Sequence, residues 1–325
     1  TTADSKRWET AAEAYRAVID KAEATNIKLY TNGDVGVDSK DFNPYKSYYN
    51  LFNNGWNSEI IFGSIDQGTI SWDNHGERYA WMVHTIPEGA GSATCMGAVG
   101  PTLRLVDAFY MENGRTIEDP NSGYIERGFA TKDGEHYNFS GVDMKTEAGR
   151  KTQIRDLKNL DAWGHAEGDW NMFCNREPRF YASIYYNGAQ RNLDGTGNRV
   201  ETFVGGREGL TLNIDRTHTR TGYYMRKFNN WKSSHDNSAD GAVRVFRLAE
   251  LLLNHAEASN EADGPDRSPD NRMTALEAIN EVRSRAGMPL LDIASQDEFR
   301  LRCRNERRVE LAFEEHRYWD VRRWG

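Results

Sequence analysis

Apolar residues return at three- and four-residue steps in four stretches of this 325-residue chain, one near its start and three in its last third. That spacing lays a single apolar stripe along an α-helix. Residues 4–25 carry Trp8, Ala11, Tyr15, Val18, Ile19 and Ala22 in step, behind Asp4 or Ser5 as N-cap. Residues 243–258 carry Val243, Phe246, Ala249, Leu252, Leu253 and Ala256. In 274–286 the stripe is Ala275, Leu276, Ile279 and Val282, and Gly287 marks the stop. The stretch 296–316 opens on the capping box Ser295-x-x-Glu298 and aligns Phe299, Cys303, Val309 and Phe313. One-sided helices bury their stripes against one another. The pattern therefore predicts a mostly α-helical fold, an α/α superhelix built from tetratricopeptide-like helix hairpins. Shorter helices are expected at 45–52, after Pro44, and at 101–110.

Between these ends the periodicity is lost. From Gly63 to Gly100, Gly, Ser, Asn and Asp surround Trp72, Tyr79 and Trp81. Long irregular stretches in a folded domain are uncommon and often functional. Farther on, Phe180, Ala182, Ile184 and Tyr186 alternate and run into Asn187-Gly188, a β-hairpin signal. Residues 200–203 and 210–214, flanking Gly205-Gly206, predict a second hairpin. The expected organisation is one domain over 1–325. Tetratricopeptide-like helices occupy 1–62, irregular ligand-facing loops and short strands 63–236, and C-terminal helices 237–325.

Charge and motif content exclude several functions. Acidic residues outnumber basic ones, 49 to 41, giving a formal net charge of -8. Phosphate backbones need a basic face, so nucleic acid is a poor partner. No apolar run approaches the ~18 residues that span a bilayer. Cys95, Cys174 and Cys303 are widely spaced without a C-x-x-C, which rules out a disulfide scaffold or zinc ribbon and leaves one bridge open. No zincin, P-loop, nucleophile-elbow or dinucleotide fingerprint occurs. Asp263, Asp266 and Asp270 share a polar loop, but the EF-hand pattern is absent and a solvated acidic loop is the expectation. Neither a metal nor a cofactor is expected.

Aromatic residues make up 11% of the chain, and several Trp fall in loops. An aromatic face stacks on the C–H face of a pyranose, and neighbouring amides and carboxylates take its hydroxyls. Trp72, Asp73, Asn74, Tyr79 and Trp81 form one such candidate set. Trp163 and Trp170, around His165, Glu167 and Asp169, form a second. Two carboxyls at such a place also raise a glycoside hydrolase with Glu167 and Asp169 as acid and base. A helical-repeat adaptor that binds only other proteins is a further alternative.

The C-terminal third contains a specific run of motifs. It reads Arg247-Leu248-Ala249-Glu250-Leu251-Leu252-Leu253-Asn254, then Ala256-Glu257-Ala258, then Val282-Arg283 and Arg285-Ala286-Gly287. Glu306-Arg307-Arg308-Val309-Glu310-Leu311 and Asp320-Val321-Arg322-Arg323-Trp324 complete it. With Asn175-Arg176-Glu177-Pro178-Arg179-Phe180 upstream, the chain resembles the SusD/RagB family nearly end to end. The family usually has Asp at Glu177 and Gly at His316. The resemblance implies non-enzymatic capture of a glycan or peptide at the surface of a Gram-negative bacterium. It implies a lipid-anchored outer-membrane protein that delivers its ligand to a TonB-dependent transporter of the SusC type. It also implies further N-terminal helices, a lipoprotein signal with an acylated Cys, and a continuation after Gly325. The charged blocks are expected to build a partly buried ion network rather than a catalytic centre, with Arg302–Glu306 and Glu314–Arg317 as neighbouring pairs.

Overall fold

The computed structural model describes residues 2–39, 41–64, 85–87, 97, 99–134, 164–190, 199–209, 218–229, 243–268 and 273–325. Helix α1 (Thr2–Ala24) is followed by α2 (Pro44–Asn53), which starts on Pro44 with the Asn43 side chain accepting from Lys46 N at 2.9 Å. Strand β1 (Ile60–Ser64) and the short helix α3 (Leu103–Ala108) come next. Helix α4 (Pro178–Ser183) runs directly into β2 (Ile184–Tyr185), which pairs with β3 (Tyr224–Met225). Strand β4 (Val243–Arg247) pairs antiparallel with β1. The chain ends in α5 (Leu248–Asp263), α6 (Ala275–Arg285), α7 (Gln296–Glu310) and α8 (His316–Trp324). The architecture is mostly helical, with few and short strands among the described residues.

Two cores divide the work. One is helical: α5 packs against α1, α6 and α7, burying Ile19, Leu252, Leu253, Ala278, Ile279, Val282, Phe299 and Cys303. The other is aromatic: Tyr45, Tyr48, Tyr49 and Phe52 of α2 meet Phe180, Tyr181, Tyr186 and Tyr224. Burying each such side chain contributes about 1.5–3 kcal/mol.

Several sequence expectations are revised. On α1, Val18 is exposed, and Trp8, Ala11 and Tyr15 are only half-buried. The stretch expected as one helix from 243 begins instead as β4, because Val243, Arg244, Phe246 and Arg247 find partners in β1, in a segment that two β-branched valines favour as a strand. The alternation at 180–186 is not a hairpin arm. Every residue from 178 to 186 is buried, so the pattern carries no facing information, and Pro178 starts a helix. The partner of β2 lies forty residues on, not across Asn187-Gly188. Residues 210–214 of the second expected hairpin lie outside the described residues; Val200 bonds Ala189 and Gly188 instead. Finally, 296–316 is not one helix. Phe313 and Glu315 take positive φ, 65° and 66°, and break it into α7 and α8. Gly287, at φ +68°, ends α6 as expected, with Met288 N bonding Arg283 O; a Cβ there would meet Pro44 at 2.6 Å.

A buried ion network joins the two cores. Pairing of β1 with β4 brings Glu59 beside Arg247, whose guanidinium reaches Glu59 (2.7 Å), Glu310 (2.8 Å) and Glu314 (2.7 Å). Arg285 bonds Glu59 at 2.8 Å and also Glu310. Arg179 binds Glu177, Glu306 and Glu310, and Arg283 binds Glu306 at 2.6 Å. Lys227 closes the cluster on Glu314 at 2.7 Å and on the Tyr48 hydroxyl at 2.8 Å. The expected neighbour pairs are therefore displaced: Glu306 and Glu314 take partners far away in sequence. Burial alone would raise the pKa of Glu310, but Arg285, Arg247 and Arg179 outweigh it and hold the carboxyl well below its ordinary range.

Candidate functional site

The loop carrying Trp170 is the sequence-predicted site that lies among the described residues. Residues 164–171 pair with 125–134: Ala130 N donates to Asp169 O and Gly168 N to Ala130 O, both at 2.8 Å. Gly168, at φ +87°, makes the turn that lets both bonds form. This pairing sets Phe129 opposite Trp170, edge to face, with ring centroids 5.0 Å apart at 87°. Trp170 is half-buried against the aromatic core, while Phe129 is 62% exposed. The ring offered to solvent is thus Phe129, and Trp170 is its backing. Phe129 was missed because it belongs to a separate stretch, linked to Trp170 only by this pairing.

Glu167 is exposed, and its N–H donates to Asp133 Oδ1 at 3.0 Å. Asp169 is buried and committed: it accepts from Ala166 N at 2.8 Å and from Arg199 Nη1 at 2.7 Å. Burial raises its pKa, against the pull of Ala166 N–H and Arg199. Both of its oxygens hold the loop together, so Asp169 is a structural brace rather than half of an acid–base pair. Arg199 also donates to Gly188 O at 2.7 Å, tying in the next turn, where Phe203 and Val204 are exposed. Cys174, behind the loop, is a free thiol pushed up to about 12 by burial and by Asp169, which leaves it inert as a nucleophile. Cys303 is also free and buried in the helical core.

Trp72, Asp73, Asn74, Tyr79, Trp81 and Trp163 lie outside the described residues, as do Cys95 and Asp270. The described chain on either side of 65–84 is well anchored. Before it, Phe62 of β1 stands opposite Phe246 of β4, and both rings are exposed, 61% and 46%. After it, Thr85 and Ile86 are buried, and Asn229 Nδ2 donates to Thr85 Oγ1 at 3.3 Å. The exposed Phe62–Phe246 pair was also not anticipated, since Phe246 had been assigned to the buried stripe of a helix.

The paired segments thus expose an apolar ring, Phe129, and a carboxylate, Glu167. Comparison with known proteins places it. The family model of the SusD family matches residues 58–325. The chain belongs to the SusD family. Among curated relatives of the SusD family, it is similar to SusD-like protein P25 of Formosa agariphila, 39% identical over 111 residues, 31% of this chain and 19% of that protein. SusD-like protein P38 of the same organism is 32% identical over 91 residues, 25% of this chain and 17% of that protein. A crystal structure of a SusD-like protein from Bacteroides fragilis superposes with a TM-score of 0.59 at 24% identity, over 97% of this chain and 52% of that one. The match thus spans about a fifth of the curated relatives' length and half of that solved chain.

Within the SusD family motifs, the charged residues act as clasps. Asp320 takes both arms of Arg307 at 3.1 Å, Arg323 joins Glu257 to Asp320, and Trp324 Nε1 donates to Glu257 at 2.7 Å. The Asp-x-Arg-Arg-Trp block therefore docks α8 onto α5 and α7. Arg176 is buried and donates to the carbonyls of Met172, Val106 and Phe109 at 3.0, 2.6 and 2.8 Å.

Proposed function

We propose that this chain captures a glycan at the bacterial cell surface without turnover and delivers it to a TonB-dependent transporter of the SusC type. The observation that carries the reading is the exposed Phe129 ring, braced by Trp170 on a paired segment that also exposes Glu167, in a chain of the SusD family. A pyranose C–H face fits such a ring, and an exposed carboxylate accepts from its hydroxyls. Trp72, Asp73, Asn74, Tyr79 and Trp81, and Trp163 with Trp170, are further ligand-binding residues of the same proposal. The lipid anchor and outer-membrane placement belong to the same proposal. Among the described residues no helix is long and apolar enough to cross a membrane.

The test is a glycan screen by isothermal titration on the chain as it stands, followed by Phe129→Ala. Loss of a ring that is buried by ligand and not by the fold should weaken glycan binding about tenfold or more and leave Tm nearly unchanged. Glu167→Gln should release no less and no more reducing sugar than the parent, namely none. A peptide ligand would show as binding in a parallel peptide screen with no glycan retained. Reducing-sugar release that vanishes in Glu167→Gln would replace the reading with a glycoside hydrolase.

A further inference from the structure

A second surface, lined by none of the Phe129 loop residues, has the makings of an anion site. Helix α3, the end of α7 and the start of α8 enclose a groove of about 650 Å³. Arg104, Arg308 and Arg317 line it. Elsewhere in the fold, five buried guanidinium groups meet carboxylates, those of Arg179, Arg247, Arg283, Arg285 and Arg307, while Arg176 is held by carbonyl oxygens. Among the described residues Arg104, Arg308 and Arg317 form no ion pair, although Asp107 and Glu118 also line the groove. Arg308 is half-buried, and its guanidinium donates to the Arg104 carbonyl oxygen. Burial and the neighbouring Arg317 and Arg104 charges disfavour its cationic form, with Asp107 and Glu118 opposing them. Three guanidinium groups against two carboxylates leave the groove with an excess of positive charge that a bound anion would offset.

A smaller cavity of about 420 Å³ adjoins the groove, sharing Phe313 and Arg317 with it. Its walls include Tyr318 and Trp319. The Trp319 ring is 67% exposed and is held edge-on by Tyr318 at 5.0 Å, while Arg322 stacks over Tyr318 at 4.5 Å. The wall between the two cavities is the α7–α8 break, where Phe313 and Glu315 hold left-handed backbone. Such conformations persist in non-glycine residues only where the surroundings impose them.

We propose that this double cavity binds an acidic saccharide, with its carboxylate or sulfate between Arg104, Arg308 and Arg317 and its ring on Trp319. Guanidinium forks match both oxyanions, and the indole supplies the platform that a simple anion would not need. The inference concerns a different surface from Phe129 and deepens the capture reading by naming an acidic ligand class.

The experiment is titration of the chain with a galacturonate hexamer and a sulfated hexasaccharide, each beside its uncharged form, methyl-esterified or desulfated. The acidic forms should bind about tenfold or more tightly than the uncharged ones, as charge-assisted bonds do, with the gap closing as salt rises. Arg104→Gln and Arg317→Gln change exposed side chains, so Tm should hold while the preference for the acidic forms falls. Trp319→Ala should weaken the acidic forms. The proposal is overturned if charged and uncharged forms bind alike or not at all. It is overturned equally if the preference survives Arg104→Gln with Arg317→Gln, or if polyglutamate binds as tightly as the saccharides. A neutral glycan that still depends on Phe129 would then leave the capture reading standing and remove only this site.

Discussion

Arg247 shows how charge is used inside this fold. It is 1% exposed and bonds three carboxylates drawn from β1's approach and the end of α7. Replacing it with Met would remove the cation shared by all three buried carboxylates, leaving Glu59 and Glu310 to Arg285, with Arg179 on Glu310, and Glu314 to Lys227. Removing one partner of a buried pair costs about 3–5 kcal/mol, so urea unfolding of Arg247→Met should show a loss of that order. The pH dependence follows from the same residues. Arg247 and Lys227 outweigh burial and hold Glu314 down at about 2. Its folded pKa lies below the ordinary 4.5, so the unfolded chain takes the proton first as pH falls. The stabilisation is complete above about 4.5 and is lost towards 2. Glu250 behaves oppositely: burial, against Arg247, pushes it up to about 7. Its folded form takes the proton first, so stability rises as pH falls from about 7 to 4.5. Urea titrations across pH should show both limbs, with Glu250→Gln flattening only the upper one. At this scale the sequence was half legible. The density of Arg and Glu announced a network, but helix-neighbour spacing named the wrong partners. Desolvation makes a buried carboxylate take the cations that folding brings to it, and β1–β4 pairing rather than spacing decides which those are.

Among elements, the helices were legible wherever one face meets a core, as in α1, α2, α5, α6 and α7. Their limits were not, since tertiary partners decide them. Strand β4 exists because β1 lies beside it, and α8 separates from α7 because Asp320, Arg323 and Trp324 dock on α5 and α7. Two caps test this level. Thr274 and Glu277 form a reciprocal capping box at the start of α6, at 3.1 and 2.7 Å. Thr274→Ala should cost about 1 kcal/mol in a chemical melt. Gly287→Ala should cost more, because the left-handed φ is strained for alanine and the new methyl meets Pro44. A neutral Gly287→Ala would mean that α6 and α2 are not packed as described.

For the whole molecule, the motifs that reveal the family turn out to be the ones that hold it together. Arg247, Glu310, Asp320 and Trp324 are bound to other parts of the fold, and none of them faces the Phe129 surface. Family and fold were therefore legible, whereas the proposed ligand surface was not. Trp170 was found from its loop, but Phe129 and the Phe62–Phe246 pair emerge only from pairing between distant segments. The central claim, capture without chemistry, is open to one direct measurement. A glycan retained by the chain is eluted after prolonged incubation, and its length distribution is read by mass spectrometry. The account predicts recovery at unchanged length, with retention lost in Phe129→Ala. Shortened products bearing new reducing ends would contradict it.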